Sequence, residues 1–154
     1  MKTGKAAFAA GCFWGVEEAF RKLKGVINTK AGYMGGNTKN PAYEEVCTGK
    51  TNHAETVQIT FNPSIISYEK LLNIFWSIHD PTILNRQWLD IGTQYMSIIF
   101  YYNKDQKDKA VKSKEKISEK YKNNIVTEII KASEFYNAEE YHQKYLMKRK
   151  LKVC

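Results

Sequence analysis

Arginine, histidine, cysteine and proline are all scarce in this chain of 154 residues, and each shortage removes a class of explanation. Of 24 basic residues only Arg21, Arg86 and Arg149 are arginine, which disfavours the bidentate phosphate and base recognition suited to guanidinium. The net charge of +8 adds nonspecific affinity for polyanions, but no nucleic-acid partner is expected. His53, His79, His142, Cys12, Cys47 and Cys154 are scattered, with no close C-x-x-C or H-x-x-x-H pair. No metal site and no cofactor is therefore expected. No apolar run approaches the roughly 20 residues that span a bilayer, so no membrane partner is expected. Met1-Lys2-Thr3-Gly4 leads straight into the first candidate strand, leaving no room for a charged-then-apolar signal. These absences predict a cytoplasmic, reducing setting, where a cysteine is more often catalytic or metal-binding than structural. Internal repeats, low-complexity tracts and linkers are missing as well. With 43% hydrophobic residues, residues 1–154 are expected to form one domain around one core.

What is present is concentrated at Gly11-Cys12-Phe13-Trp14-Gly15. An apolar run (Ala6, Ala7, Phe8, Ala9, Ala10) precedes it, and a helical pattern (Val16, Ala19, Phe20, Leu23) follows. A strand passing through glycine into a helix leaves Cys12 near the helix N-terminus, where unpaired N–H groups and the dipole favour an anion. A thiol so placed can titrate below its ordinary value of about 8.5 and act as a nucleophile. Phe13 and Trp14 would wall a pocket for a small apolar group. A cysteine buried in an aromatic core fits this stretch equally well.

The rest of the chain alternates. Strands are predicted at 5–10 and 26–34 around a helix at 14–24. Val57, Ile59 and Phe61 alternate as in a half-buried strand over 55–61. Tyr68, Leu71, Leu72, Phe75 and Trp76 mark a helix to about 78. An apolar strand at 95–102 precedes an amphipathic, lysine-faced helix over 104–122, then a strand at 125–130 and a helix at about 138–149. The first six elements spell β-α-β-β-α-β. That predicts an α/β (α+β) two-layer sandwich with a ferredoxin-like core, to which a C-terminal strand and helix are added. Two connections, 35–54 and 79–94, are long for so small a chain, which points to function.

Several blocks, taken in order, resemble one family. They are Gly11-Cys-Phe-Trp-Gly-Val-Glu17, Asn40-Pro-Ala-Tyr-Glu-Glu-Val-Cys47, Asn52-His-Ala-Glu55, Asn85-Arg-Gln with Asp90 and Gly92-Thr-Gln-Tyr95, and Tyr141-His-Gln-Lys-Tyr-Leu146. The chain is similar to the A-type peptide methionine sulfoxide reductases, enzymes that need no cofactor. The resemblance implies reduction of the S epimer of methionine sulfoxide, free or in peptides and oxidised proteins, with thioredoxin as reductant; a separate enzyme type serves the other epimer. It implies that Cys12 is the nucleophile and Glu55 the acid, with Tyr43 and Tyr95 as phenols around the sulfoxide oxygen. Phe13 and Trp14 would receive the S-methyl group, Asp90 would help fix the substrate, and His53 would orient the loop beside it.

The chemistry suits these residue types. Attack on sulfur must be accompanied by a proton on oxygen, so Glu55, desolvated among aromatic groups, is expected to stay protonated as general acid. Cys12 and Glu55 are then expected to share a proton as a coupled pair. Cys12 would become a sulfenic acid that a second thiol must resolve. Three departures stand out: Trp88-Leu89 replaces a common Gly-Asn pair, Met96 replaces a frequent arginine, and no Gly-rich stretch surrounds a resolving cysteine. Cys154, the last residue of the sequence, is expected to resolve it, provided that the last helix frays far enough, since the tail beyond Lys150 reaches at most about 14 Å. Cys47 matches a position without catalytic duty and is read as packing. Two rival readings stand: a cysteine hydrolase with His53 or His142 as base, and a lysine-faced binding module without chemistry.

Overall fold

A computed structural model describes residues 2–87, 90–122 and 124–148, and of Arg86 and Asp90 the backbone alone. Cys154, the Asp90 side chain and Trp88-Leu89 lie outside what is described. In chain order the elements are β1 (Gly4–Ala10), α1 (Phe13–Arg21), β2 (Val26–Met34), α2 (Tyr43–Cys47), β3 (Ala54–Phe61) and α3 (Tyr68–Ser77). There follow β4 (Arg86–Gln87), β5 (Asp90–Ile91), β6 (Ser97–Tyr101), α4 (Lys104–Lys120), β7 (Glu128–Lys131), β8 (Tyr136–Asn137) and α5 (Tyr145–Lys148). Six strands form one sheet in the order β7-β6-β1-β3-β2-β8. All neighbours are antiparallel except β6 and β7, which run parallel. The fold is mixed α/β.

The central strands are buried on both faces, so they read as near-continuous apolar runs. Ala6, Phe8 and Ala10 of β1 join Val57, Ile59 and Phe61 of β3 in the larger core cluster. Phe13, Val16 and Phe20 of α1 and Leu71, Leu72 and Phe75 of α3 complete it. Phe8 stacks on both Phe20 and Phe75 at 5.3 Å. The opposite face of the sheet is a smaller cluster of Ala7, Ala9, Met34, Ala54, Ile98 and Phe100. The alternation of strand side chains separates the two sets. Ser67 caps α3 by accepting the Lys70 N–H at 3.0 Å, and Asn103 caps α4 by accepting the Gln106 N–H at 2.9 Å.

Four expectations need correction. Helix α1 ends at Arg21 rather than 24, because the Leu23 N–H turns back to the Phe20 carbonyl in a tighter bond. The strand expected at 95–102 begins at Ser97, after a 3₁₀ turn over Thr93–Tyr95. The strand expected at 125–130 is Glu128–Lys131. The helix expected at about 138–149 is a 3₁₀ turn (Glu140–His142) and a short α5, separated by Lys144 at φ 51°. The two long loops are themselves partly ordered, by α2 and by the β4–β5 hairpin.

Candidate active site

The register of the sheet brings distant parts of the sequence together at one edge of the core. Phe8 lies opposite Val57 in the antiparallel pair β1–β3, so the chain leaves β1 beside the start of β3. Gly11 makes the turn at φ 94°, and a Cβ there would press on Gln87 at 2.9 Å. Cys12 follows as N-cap of α1, its carbonyl accepting the Val16 N–H, and is half-buried. Glu55 continues the inward face of Val57 and Ile59 on β3, yet carries a carboxyl that is 1% exposed. Its Oε1 accepts the Phe13 N–H at 3.2 Å. A buried acid thus sits at the start of α1, its Oε1 taking up one of the N–H groups that the helix itself leaves without a partner.

Tyr43 begins α2, and Tyr95 ends the 3₁₀ turn that follows β5; the fields of Glu55 and Tyr95 both reach Tyr43. Burial pushes the Tyr43 phenol well above its ordinary value, and its bond to Cys47 and the nearby Glu55 add to this, so it stays a proton donor. That hydroxyl is turned to the Cys47 thiol one helical turn away. Cys47 as a whole residue is exposed, yet its sulfur is partly withdrawn from water, and that desolvation, with the surrounding carboxyls, raises its thiol above the ordinary value although the Tyr43 bond opposes it.

Phe13 and Trp14, adjacent in sequence, part company. The Phe13 ring is 1% exposed and meets Tyr33 at 5.7 Å and His142 at 5.1 Å, so it backs the site from within the core. Trp14 is half-buried; its indole N–H donates to His142 Nδ1 at 2.8 Å, and Tyr145 stacks on it at 3.8 Å. His53 was expected among the substrate-binding residues. It is 2% exposed, with Nδ1 accepting the Gly36 N–H at 3.0 Å and Nε2 2.6 Å from the Thr38 carbonyl. Both nitrogens bond to loop 35–54 and hold it in shape. With His142 engaged by Trp14, neither histidine is arranged as a base for a cysteine hydrolase. Among the described residues no three His, Cys, Asp or Glu side chains gather as metal ligands.

Sequence reasoning marked Tyr141–Leu146 as a block but missed what Glu139, Gln143 and Lys144 hold in place. Glu139 accepts the Tyr33 hydroxyl at 2.9 Å and the Tyr43 N–H at 3.0 Å. Burial opposes its charge, but these bonds outweigh that and hold the carboxyl below the usual range. The Gln143 amide accepts the Ala31 N–H at 2.8 Å and donates to the Ala31 carbonyl at 2.7 Å. The Lys144 N–H donates to Glu17 Oε1 at 2.6 Å, while Thr29 donates to Glu17 Oε2 at 2.8 Å. Every one of these ties is long-range, so local pattern carries no signal for it. The hints available are the Tyr141–Leu146 block and the dense run Glu139-Glu-Tyr-His-Gln-Lys-Tyr145 that contains most of it.

The sequence profile described as peptide methionine sulfoxide reductase matches residues 4–154. A peptide methionine sulfoxide reductase MsrA of Methanothermobacter thermautotrophicus is 55% identical over 152 residues, 97% of this chain and 90% of that protein. The crystal structure of reduced Mxr1 from Saccharomyces cerevisiae is 37% identical and superposes with a TM-score of 0.93, covering 99% of this chain and 89% of that one. Mxr1 in complex with Trx2 is 30% identical with a TM-score of 0.67, over 94% of this chain and 85% of that one. No helix among the described residues is long and apolar enough to cross a membrane. With the profile spanning nearly the whole length and a relative more than half identical, the chain belongs to the peptide methionine sulfoxide reductase family.

Proposed function

We infer that this protein reduces the S epimer of methionine sulfoxide, in oxidised proteins, in peptides or free, and is recycled by thioredoxin. The observation that carries the assignment of roles is the hydrogen bond from the Phe13 N–H to Glu55 at 3.2 Å. It fixes a buried acid against the residue that follows Cys12. Cys12 attacks the sulfoxide sulfur while Glu55 gives a proton to the oxygen through its other carboxyl oxygen. The S–S bond so formed then breaks as the protonated oxygen moves from the substrate sulfur to the Cys12 sulfur, which leaves methionine and a Cys12 sulfenic acid, and the proton lost by the Cys12 thiol returns to Glu55. Tyr43 and Tyr95 donate to the oxygen as charge develops on it; the Tyr43 hydroxyl reaches it by rotating away from Cys47. Trp14, backed by Phe13, takes the S-methyl group, and Asp90 helps fix the substrate.

A second thiol, assigned to Cys154, then condenses with the sulfenic acid and releases water. Thioredoxin reduces the resulting disulfide, a step supported by the existence of an Mxr1 complex with Trx2. The run β1-α1-β2-β3-α3-β6 with sheet order β6-β1-β3-β2 supports the ferredoxin-like description. We place the enzyme in the cytoplasm as a single domain.

The test is reduction of the separated epimers with dithiothreitol. The S epimer is consumed and the R epimer is left. Equal use of both epimers, or none, overturns the assignment, and release of amine or acid from a peptide or ester favours a hydrolase.

A further inference from the structure

His142 is a fully buried imidazole in the segment 139–145, enclosed by aromatic rings. The centroids of Tyr141, Tyr43, Phe13 and Trp14 lie 4.1, 4.4, 5.1 and 5.7 Å from its own. Its bond to Trp14 settles its chemical form. An indole N–H can only donate, so Nδ1 must be bare and the ring proton must sit on Nε2. Nε2 is buried and has no partner among the described residues. Leaving an N–H unmet in the interior is unfavourable, so the ring is not held there by the sum of its own hydrogen bonds.

The indole of Trp14 is fixed by two contacts of different kinds. The stack with Tyr145, 3.8 Å away and within 7° of parallel, fixes the distance of the ring plane but lets the ring slide and turn within it. The hydrogen bond to His142 removes that remaining freedom, because it is directional and lies at the ring edge. We propose that His142 is a positioning residue for sulfoxide reduction: its neutral ring locks the Trp14 indole in the orientation that receives the substrate's S-methyl group. This rests on the reading of Trp14 as the wall of the methyl pocket. His142 touches no reacting atom, so its effect falls on substrate affinity and not on the proton or oxygen transfer at Cys12 and Glu55.

The full chain, with the S epimer of methionine sulfoxide and dithiothreitol, tests this. His142→Phe keeps a planar, slightly larger ring in the aromatic enclosure but removes the acceptor; His142→Asn returns an acceptor close to the place of Nδ1. His142→Phe is expected to raise KM about tenfold, the scale of one lost buried hydrogen bond, while the saturated rate changes less than about twofold. The Trp14 indole N–H resonance, assigned by its disappearance in Trp14→Ala, should move upfield and exchange faster with solvent. His142→Asn should restore both. An unchanged KM in His142→Phe, a fall in kcat at constant KM, or an Asn variant no better than Phe overturns the proposal. Should His142→Phe not fold, the wild type decides: its Trp14 indole N–H must exchange slowly and must shift at saturating substrate, and failure of either overturns it. If Trp14→Ala leaves KM unchanged, the pocket reading itself fails; a raised KM there with none in His142→Phe removes this inference alone.

Discussion

Acid should destabilise this protein through His79, and the size of the effect can be worked out. His79 opens the loop that leads to Asp90 and Tyr95. It is 9% exposed and packs on Phe75 at 4.5 Å. Nδ1 lies 2.7 Å from the Phe75 carbonyl, which can only accept, so the proton is on Nδ1. Nε2 is therefore bare and accepts the Ser97 hydroxyl at 2.7 Å, whose oxygen in turn accepts from Thr127 at 2.7 Å. Burial pushes the His79 imidazole down to about 4 from an ordinary 6.5, although the Phe75 carbonyl and Asp80 work the other way.

Above pH 6.5 neither folded nor unfolded chain holds a proton there, and this group gives no pH dependence. Between 6.5 and 4 the unfolded chain takes up a proton that the native protein refuses, so stability falls with pH. The loss is about 1.4 kcal/mol per pH unit and about 3 kcal/mol by pH 4. Below pH 4 both states are protonated and the loss levels off. Urea unfolding of the wild type and His79→Gln from pH 7 to pH 4 measures this. The variant should be weaker at pH 7, for its lost bonds and packing, but the gap should close by about 3 kcal/mol on the way down. A gap that stays constant with pH would refute the argument.

Glu55→Gln should leave the fold intact and slow methionine formation in a single turnover by roughly 10²–10⁴, the range for a positioned general acid; a wild-type rate would remove Glu55 from the chemistry. Glu17→Ala should cost about 3 kcal/mol in urea unfolding, since it strips buried bonds from Thr29 and the Lys144 N–H together; a cost under about 1 kcal/mol would mean that segment 139–145 is anchored elsewhere. Cys154→Ser should form one methionine per enzyme and then stall with thioredoxin, while dithiothreitol sustains turnover. Intact-mass analysis should find one added oxygen in that variant, and full thioredoxin-driven turnover would exclude Cys154 as resolver.

The central strands and the helices α1, α3 and α4 were legible because their burial follows local periods of two and about 3.6 residues. That Glu55 comes to the start of α1, where its carboxyl accepts the Phe13 N–H, was anticipated only through the family blocks, since an acid at the end of a strand is locally as well read as exposed. The fold of the last stretch was not legible. Tyr141, Tyr145 and Leu146 mimic a helical stripe, but Gln143 is drawn out to the backbone of β2 and Lys144 to Glu17. Tertiary bonds at those two residues outweigh helix propensity. For the same reason the duties of Glu139 and His142 could not be read from spacing: both depend on partners about a hundred residues away in sequence.

The outer margins of the sheet bear on the company this enzyme keeps. Oxidised, partly unfolded polypeptides carry backbone that will add to any long open sheet margin it meets. Here β7 has four residues with Glu128 and Lys131 at its ends, and β8 has two. Beyond β8 the amide of Gln143 occupies both hydrogen-bonding groups of Ala31, standing in for a further strand residue. Among the described residues a damaged client therefore finds only two short outer strands, with little backbone to zip onto. A client held by its sulfoxide side chain and not by its backbone can leave once that side chain has been repaired, without being templated into a growing sheet.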